Sequence, residues 1–271
     1  MQRLLTKLSW LLRHPTFRKH PVRTTYRVMR WEIFRWTGTS IILPFSQFKL
    51  KVRPFDGIGR VICYFGEEAD DIFVFMKGYL KTGMNVVDVG ANIGSHAIFA
   101  AQLVSPNGKV LAFEADPDTL AVLQENLTSN GISNAEAHQQ CVSDHQGLSD
   151  FNINADSAKN SMVRLGTKVI SIPTDRLDNL IPHGVPVDLL KIDVEGADYL
   201  VLKGAVETLA GKPPPVIVLE TSENRADIIA LLSGYGYRFY AFAPDTYSFI
   251  EVTSLPFNTY AIHTSASVRG L

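Results

Sequence analysis

The chain has 271 residues, of which 46% are hydrophobic and 20% are charged, so it holds enough apolar material for one sizeable core. No window approaches the roughly 18 apolar residues of a membrane-spanning helix, and no such helix is expected. The net charge of −1 is unevenly divided: residues 1–60 carry 13 basic and two acidic side chains, and the remainder carries 13 basic and 25 acidic ones. Such an asymmetry often marks an interaction surface.

The amino-terminal segment predicts a basic amphipathic helix. Residues 1–13 place leucines at helical spacing, with Arg3, Lys7 and Arg13 off that stripe. The segment lacks the long apolar run and the small-residue cleavage site of a signal peptide. It can pack on its own domain or on a dimer mate, or it can dock on a membrane surface or an acidic partner.

The rest of the basic region predicts a helix and a hairpin. Residues 24–36 form a second amphipathic pattern, in which Trp31 and Trp36 can equally be core residues. Residues 41–65 contain two β-like runs around the turn-rich sequence FDGIG. We therefore predict an extension over residues 1–63 that serves as a lid, a docking surface or an oligomer contact.

From residue 64 the chain alternates short apolar strands with helices. The predicted strands are 85–90, 109–115, 135–143, 187–194 and 215–222, and the helices lie near 69–81, 94–104, 117–130, 197–210 and 223–234. Two closing segments, 237–243 and 258–264, are strands short enough to pair antiparallel. The pattern predicts a Rossmann-like α/β domain over residues 64–271, with a mostly parallel sheet covered by helices on both faces.

The two cysteines carry little functional signal. Cys63 and Cys141 lie in apolar, strand-like surroundings and match no metal-ligand spacing. We expect both to be buried as packing residues of a reduced, cytoplasmic protein. The basic amino-terminal segment leaves open a peripheral attachment of that protein to a membrane.

A glycine-containing loop follows the first strand of the alternation. The stretch VVDVGANIGSH lies at the carboxyl end of the sheet, where open α/β folds bind their ligands. Its residues of interest are Asp88, Gly90, Asn92 and Gly94. The second strand ends in FEAD, so Glu114 stands where an acid accepts hydrogen bonds from ribose hydroxyls. These features predict a nucleoside-containing cofactor, although Asp88 and Glu114 can also serve only as caps or loop acceptors.

The loop fits a dinucleotide poorly. A pyrophosphate needs the pattern Gly-x-Gly-x-x-Gly, and here Asn92 occupies the slot of the second glycine, with Ser95 and His96 after Gly94. S-adenosylmethionine (SAM) has no pyrophosphate, and Asp88 with the loop backbone offers its amino-acid end an acceptor and donors. SAM is therefore the predicted cofactor, and an NAD-dependent oxidoreductase is the alternative on the same kind of sheet.

Five motifs together resemble the SAM-dependent methyltransferases of the FkbM type. They are NVVDVGANIG, FEADP, VSD ending at Asp144, LD at 177–178 and VDLLKIDVEGAD. The resemblance covers roughly residues 64–222 and implies a class I methyltransferase fold, with a seven-stranded sheet and an antiparallel last strand. It also implies O-methylation of a hydroxyl on a sugar, a polyketide or another small natural-product acceptor.

The resemblance further assigns cofactor contacts. The loop residues Asp88, Gly90, Asn92 and Gly94 match the positions around the methionine moiety, and Glu114 matches the ribose-binding acid. Ser143 and Asp144, which end the predicted third strand, match the adenine-edge position. Ser95 and His96 stand where the family often has an aromatic residue, and we assign Ser95 to the cofactor site.

Three charged residues alternate along the predicted fourth strand. Because a strand repeats every two residues, Lys191, Asp193 and Glu195 point to one side. An alcohol has a pKa far above 7 and needs a base or a metal ion to react. Asp193 is therefore the predicted general base beside Glu220, or the two carboxylates bind Mg²⁺. His96 is the alternative base.

Lys191 needs a partner, because burying an ammonium in a central strand is costly unless it is paired. The carboxylates available for a salt bridge are Asp193, Glu220 and Asp88. Such a bridge orients the carboxylates, or it leaves Lys191 in contact with acceptor or cofactor. Glu195 either binds the first amides of the next helix or lines the acceptor site.

Other partners remain alternatives. A protein that binds a membrane or a partner while keeping a vestigial methyltransferase fold is the non-enzyme hypothesis. Nucleic acid is a weaker candidate than a small-molecule acceptor, since the catalytic part is acidic overall. The basic extension can also support a homo-oligomer.

Overall fold

The structure is a computed structural model that describes residues 12, 14–54, 56–66, 70–154, 160–163, 166, 168–220 and 223–271. Its contacts divide the chain into two compact units, Met1–Asp70 and Asp71–Leu271. The helix predicted over residues 1–13 lies almost wholly outside the described residues. In the described part of the chain, none of the helices combines the length and the apolar character that crossing a bilayer takes.

The described residues of the first unit form three helices and one hairpin. They are α1 (Pro15–Lys19), α2 (Pro21–Thr37), β1 (Ile41–Phe45), β2 (Phe48–Val52) and α3 (Gly57–Phe65). The second amphipathic helix is confirmed as α2, and it is followed by Gly38, whose left-handed backbone (φ 68°) terminates the helix as glycine commonly does. Trp31 is buried and Trp36 is 91% exposed, so only the first of these two is a core residue.

The hairpin prediction was wrong in its details. β1 and β2 are antiparallel and turn at Ser46 and Gln47, ahead of the FDGIG sequence. The apolar run that follows FDGIG is the helix α3, which buries Ile62, Cys63, Tyr64 and Phe65. A short apolar run cannot be assigned to strand or helix from its periodicity alone.

The second unit alternates strands and helices. Its strands are β3 (Val86–Val89), β4 (Val110–Glu114), β5 (Ala135–Gln139), β6 (Cys141–Ser143), β7 (Gly147–Ile153), β8 (Lys168–Arg176), β9 (Leu189–Ile192), β10 (Val216–Glu220), β11 (Tyr237–Ala243), β12 (Ser248–Glu251) and β13 (Asn258–His263). Its helices are α4 (Asp71–Tyr79), α5 (Ser95–Val104), α6 (Pro117–Ser129), α7 (Leu177–Leu180), α8 (Asp198–Lys203), α9 (Val206–Gly211) and α10 (Arg225–Gly234).

The main sheet confirms the predicted fold class. Its strand order is β12-β11-β13-β10-β9-β3-β4-β5. The strands from β10 to β5 are parallel, and β13 runs antiparallel between β10 and β11. The sheet has eight strands rather than seven because β12 adds an antiparallel edge strand to β11. This is the class I methyltransferase arrangement, with the reversed last strand inserted into the sheet.

A second, three-stranded sheet was not predicted. The segment 135–143 is not one strand: it breaks at Gln140 into β5 of the main sheet and β6, which joins β8 and β7. β7 has a largely solvent-facing pattern and therefore a weak apolar signal. β8 contains Pro173, and a proline inside a run argues against a strand when only the sequence is known.

The sheet positions the charged side chains of β9. Leu190 and Ile192 join a buried core cluster on one face. Because side chains alternate along a strand, Lys191 points to the opposite face. In the ladders, Lys191 is paired with Asp88 of β3 on one side and with Val218 of β10 on the other. The adjacent parallel strands therefore bring their carboxyl ends, and the polar residues there, to a single edge.

Candidate active site

The loop after β3 is built around a close backbone contact. Gly90 has a left-handed backbone (φ 80°), and a Cβ atom at this position would overlap the carbonyl oxygen of Asp193. The amide of Asp193 donates to the carbonyl of Val89 (2.9 Å), which joins the ends of β3 and β9. Only glycine satisfies both the conformation and the space here.

Asn92 and Glu114 meet, as expected for neighbouring strand ends. The backbone amide of Asn92 donates to Glu114 Oε2 (2.8 Å), and the amide of Asp116 donates to Glu114 Oε1 (2.9 Å). Burial raises the pKa of Glu114 to about 7, although these two amides act in the opposite direction. Glu114 is thus a buried carboxyl held in place by the loop that follows the first strand.

Lys191 is the centre of a carboxylate cluster. Its buried Nζ lies 3.6 Å from Asp88 Oδ1, 3.4 Å from Asp193 Oδ2 and 3.6 Å from Glu220 Oε1. The ion pairing predicted from the cost of a buried ammonium is therefore present with all three candidate partners. Three carboxylates around one ammonium leave the cluster with an excess of negative charge.

The members of this cluster differ in their access to solvent. The Asp88 side chain is 1% exposed, and neither of its oxygens accepts a hydrogen bond from the described residues. The Asp193 side chain is 29% exposed, which makes it the most accessible of the three carboxylates. Asp193 is therefore directly accessible to a molecule that enters from solvent, whereas the Asp88 side chain is covered by its neighbours.

The cluster fits a cationic organic ligand better than a metal ion. Lys191 Nζ already lies within 3.6 Å of both Asp193 and Glu220, where it would repel a divalent cation held by the same two carboxylates. Within the residues that the structure describes, no three His, Cys, Asp or Glu side chains are grouped so as to hold a metal ion. The magnesium interpretation has no support in this arrangement.

The turn after β9 contains two unusual residues. Glu195 has a left-handed backbone (φ 51°), which is strained for a residue other than glycine or asparagine, and its carbonyl accepts a hydrogen bond from Ser161 Oγ (3.0 Å). Asp198, at the start of α8, is 1% exposed. Burial raises the pKa of Asp198 to about 7, and the charges of Asp193 and Glu195 act in the same direction.

Sequence reasoning missed Asp198. An acid in the first turn of a helix is an ordinary favourable partner of the helix dipole, so the EGAD sequence gives no reason to single it out. The available signal was its spacing from Asp193 and Glu195 in an otherwise apolar segment. The structure therefore adds one buried acid, Asp198, five residues after Asp193 in the sequence.

His96 and Ser95 lie at the start of α5, and both are buried. The His96 ring stacks on Phe73, with centroids 4.3 Å apart and planes 20° from parallel. This packing is the usual environment of a core histidine, so geometry favours Asp193 over His96 as the base.

Ser143 and Asp144 require a correction. Ser143 is the last residue of β6 in the small sheet and Asp144 follows it, so neither ends the third strand of the main sheet, which is β5. Ser143 is fully buried, and Asp144 forms an ion pair with Lys203 of α8. The hydrogen bond from Lys203 lowers the pKa of Asp144. An adenine contact by these two residues stays a prediction.

Comparisons with known proteins identify the family. A family model described as the methyltransferase FkbM domain matches residues 88–239. Methyltransferase sdnD of Sordaria araneosa is 32% identical over 206 residues, which cover 61% of this chain and 79% of that protein. The 31-O-demethyl-FK506 methyltransferase FkbM of Streptomyces tacrolimicus is 28% identical, covering 58% of this chain and 74% of that protein.

A third relative is matched over a shorter part of its length. The 2-O-methyltransferase NoeI of Sinorhizobium fredii is 30% identical, covering 46% of this chain and 58% of NoeI. The NAD-dependent alternative is not favoured by these matches. The family match spans more than half of the chain and includes the strand ends from Asp88 to Glu220 that form the cluster. The chain therefore belongs to the FkbM methyltransferase family.

Proposed function

We propose that this protein transfers a methyl group from SAM to a hydroxyl of a small sugar, polyketide or other natural-product acceptor. The observation that carries the proposal is the convergence of Asp88, Asp193 and Glu220 on Lys191 beside the loop after β3. The names of the relatives FkbM and NoeI describe O-methyl chemistry, which supports a hydroxyl acceptor.

The residues present fit SAM as the cofactor. The cluster has excess negative charge, and the buried Asp88 carboxylate has no hydrogen-bond donor among the described residues. Both features favour a ligand that carries positive charge and N–H donors. Asp88 would hold the amino-acid end, and Glu114 would accept hydrogen bonds from the ribose hydroxyls.

Asp193 and Lys191 have separate tasks in the transfer. SAM, when bound, supplies a methyl group already activated on a sulfonium. Asp193, the most accessible carboxylate, takes the proton of the acceptor hydroxyl, which is too weak an acid to react unaided. Lys191 holds the carboxylates of Asp193 and Glu220 in position and offsets part of their mutual repulsion.

A panel of hydroxylated acceptors incubated with methyl-labelled SAM and analysed by mass spectrometry tests this proposal. We expect a product that carries the label on oxygen, and we expect its rate to be unchanged by a chelator. SAM binding without transfer to any acceptor would favour the vestigial-fold hypothesis. A rate abolished by the chelator and restored by Mg²⁺ would contradict the assignment of Asp193 as an unassisted base.

A further inference from the structure

The solvent-facing side of α2 carries an apolar stripe. Five large side chains are each more than half exposed, from 55% for Met29 to 91% for Trp36. The stripe consists of Val22, Tyr26, Met29, Ile33 and Trp36. The alternating spacing of four and three residues places all five on one side of the helix, while Trp31 and Phe34 face the interior. Large contiguous apolar patches on a protein surface usually mark an interaction site.

Basic residues border this stripe. Arg23, Arg27 and Arg30 each follow a stripe residue by one position, so all three lie on the same flank of α2. The helix contains four arginines and one glutamate, and that glutamate is paired with Arg35 at 3.1 Å. The stripe and its flank thus form a cationic amphipathic surface, which we name the α2 surface.

A cleft of about 460 Å³ opens beside this flank. The side chains that line it and can donate hydrogen bonds to an anion are those of Arg23, Arg27, His20, Thr16, Thr24 and Ser46. Acidic side chains do not contribute to the described lining. Cations and hydroxyls around a cleft of this size suit a phosphate-bearing group.

We propose that the α2 surface docks this protein on an anionic lipid bilayer. The apolar stripe lies in the interfacial region of the bilayer, and the arginine flank with its cleft lies at the level of the lipid phosphates. Charge complementarity selects this occupant. A second copy of the chain would bring the same net-positive helix to the contact, which costs free energy through like-charge repulsion.

The proposal is independent of methyl transfer and draws on a second sequence feature. Residues 1–13, which lie almost wholly outside the described part of the chain, have the same combination of leucines at helical spacing and basic side chains. Stable membrane attachment generally takes more than one weak signal. Two amphipathic basic segments in succession meet that requirement.

Vesicle flotation with the full-length chain tests the proposal. The vesicles are phosphatidylcholine alone and phosphatidylcholine mixed with phosphatidylglycerol. We expect flotation only with the anionic vesicles. The stripe variant Met29→Gln/Ile33→Gln/Trp36→Gln should lower the partition coefficient about tenfold or more, because it removes the inserted apolar area. The flank variant Arg23→Gln/Arg30→Gln should lower it about fivefold per arginine, and added salt should have a similar effect.

A matched control distinguishes binding through the α2 surface from nonspecific hydrophobic binding to vesicles. The variant Leu148→Gln/Val169→Gln/Ile250→Gln removes three apolar side chains of 69%, 55% and 61% exposure from the second unit. It should bind vesicles within about twofold of the unmodified chain, because these residues lie on β7, β8 and β12 and do not belong to the α2 surface. All substituted positions are exposed, and circular dichroism checks that each variant is folded.

Three results would overturn the proposal. The first is that the unmodified chain does not float with anionic vesicles. The second is that the stripe variant floats as well as the unmodified chain. The third is that light scattering shows a dimer that the stripe variant dissociates, which would make a second copy the occupant. Because no substrate is present, a failure here leaves the proposed methyl transfer untouched.

Discussion

Replacing Lys191 by methionine tests whether the buried ammonium holds the cluster together. The substitution keeps much of the side chain's volume but leaves the carboxylates of Asp88, Asp193 and Glu220 without the cation that lies 3.4–3.6 Å from each. Asp193 and Glu220 are partly solvated, so water replaces some of what they lose. Asp88 is 1% exposed and is not compensated in this way.

The expected cost follows from this difference. Removing one partner of a buried ion pair typically lowers the free energy of unfolding by about 3–5 kcal/mol, because it leaves an unpaired buried charge. We assign most of that cost to Asp88, so the double variant Lys191→Met/Asp88→Asn should recover all but about 2 kcal/mol. The loss of about 3–5 kcal/mol expected for Lys191→Met is a large share of the roughly 5–15 kcal/mol by which a domain is stable.

Urea unfolding followed by circular dichroism measures these differences. Lys203→Met is the matched control, because Lys203 also pairs with an aspartate but is exposed, and its loss should have a much smaller effect. A free energy of unfolding for Lys191→Met within about 1 kcal/mol of that of the unmodified chain would show that Lys191 does not hold the cluster together. The absence of any recovery in Lys191→Met/Asp88→Asn would show that the unpaired Asp88 is not the source of the loss.

Three further predictions concern the site. Asp193→Asn should lower kcat by about 10²–10⁴-fold while leaving the Kd for SAM within about threefold, as measured by labelled-methyl transfer and calorimetry; an unchanged kcat would exclude Asp193 as the base. The Kd for SAM should rise as the pH falls below about 7, because Glu114 has a raised pKa and the ribose acceptor is progressively protonated there. Glu114→Gln should bind SAM more weakly and with a flatter pH profile. An equal pH dependence in that variant would assign the effect to another titratable group. Gly90→Ala should lower the free energy of unfolding by more than Gly131→Ala in a urea titration. Both positions have a left-handed backbone, which costs alanine about 1–2 kcal/mol, but of the two only Gly90 faces an overlapping carbonyl. Equal losses would contradict the close contact of β3 with Asp193.

Much of the fold could be predicted because its central strands are short apolar runs with polar ends. Three central strands, β3, β9 and β10, are buried throughout, apart from the partly exposed Glu220. Their sequences predict both the sheet and its ligand-binding edge. The ion pairs of Lys191 followed from the cost of an unpaired buried charge alone. Where burial is continuous and charge is rare, the sequence constrains the structure strongly.

Other features depend on contacts that a sequence does not display. The change of sheet at Gln140 and the largely exposed β7 have no strong periodic signal. Trp31 and Trp36 are the same residue type in the same helix, yet Trp31 is buried and Trp36 is almost fully exposed. The reason is that residues five positions apart on a helix lie on different faces. Asp198 differs from an ordinary acid in the first turn of a helix only by its burial, which the sequence does not display.

Calorimetric titration with SAM and, separately, with NAD measures which cofactor the strand ends of β3 and β4 accept. We expect that SAM binds at one site per chain, that NAD gives no binding heat, and that SAM binding weakens in Glu114→Gln. Binding of NAD, or the absence of any heat with SAM, would contradict this expectation.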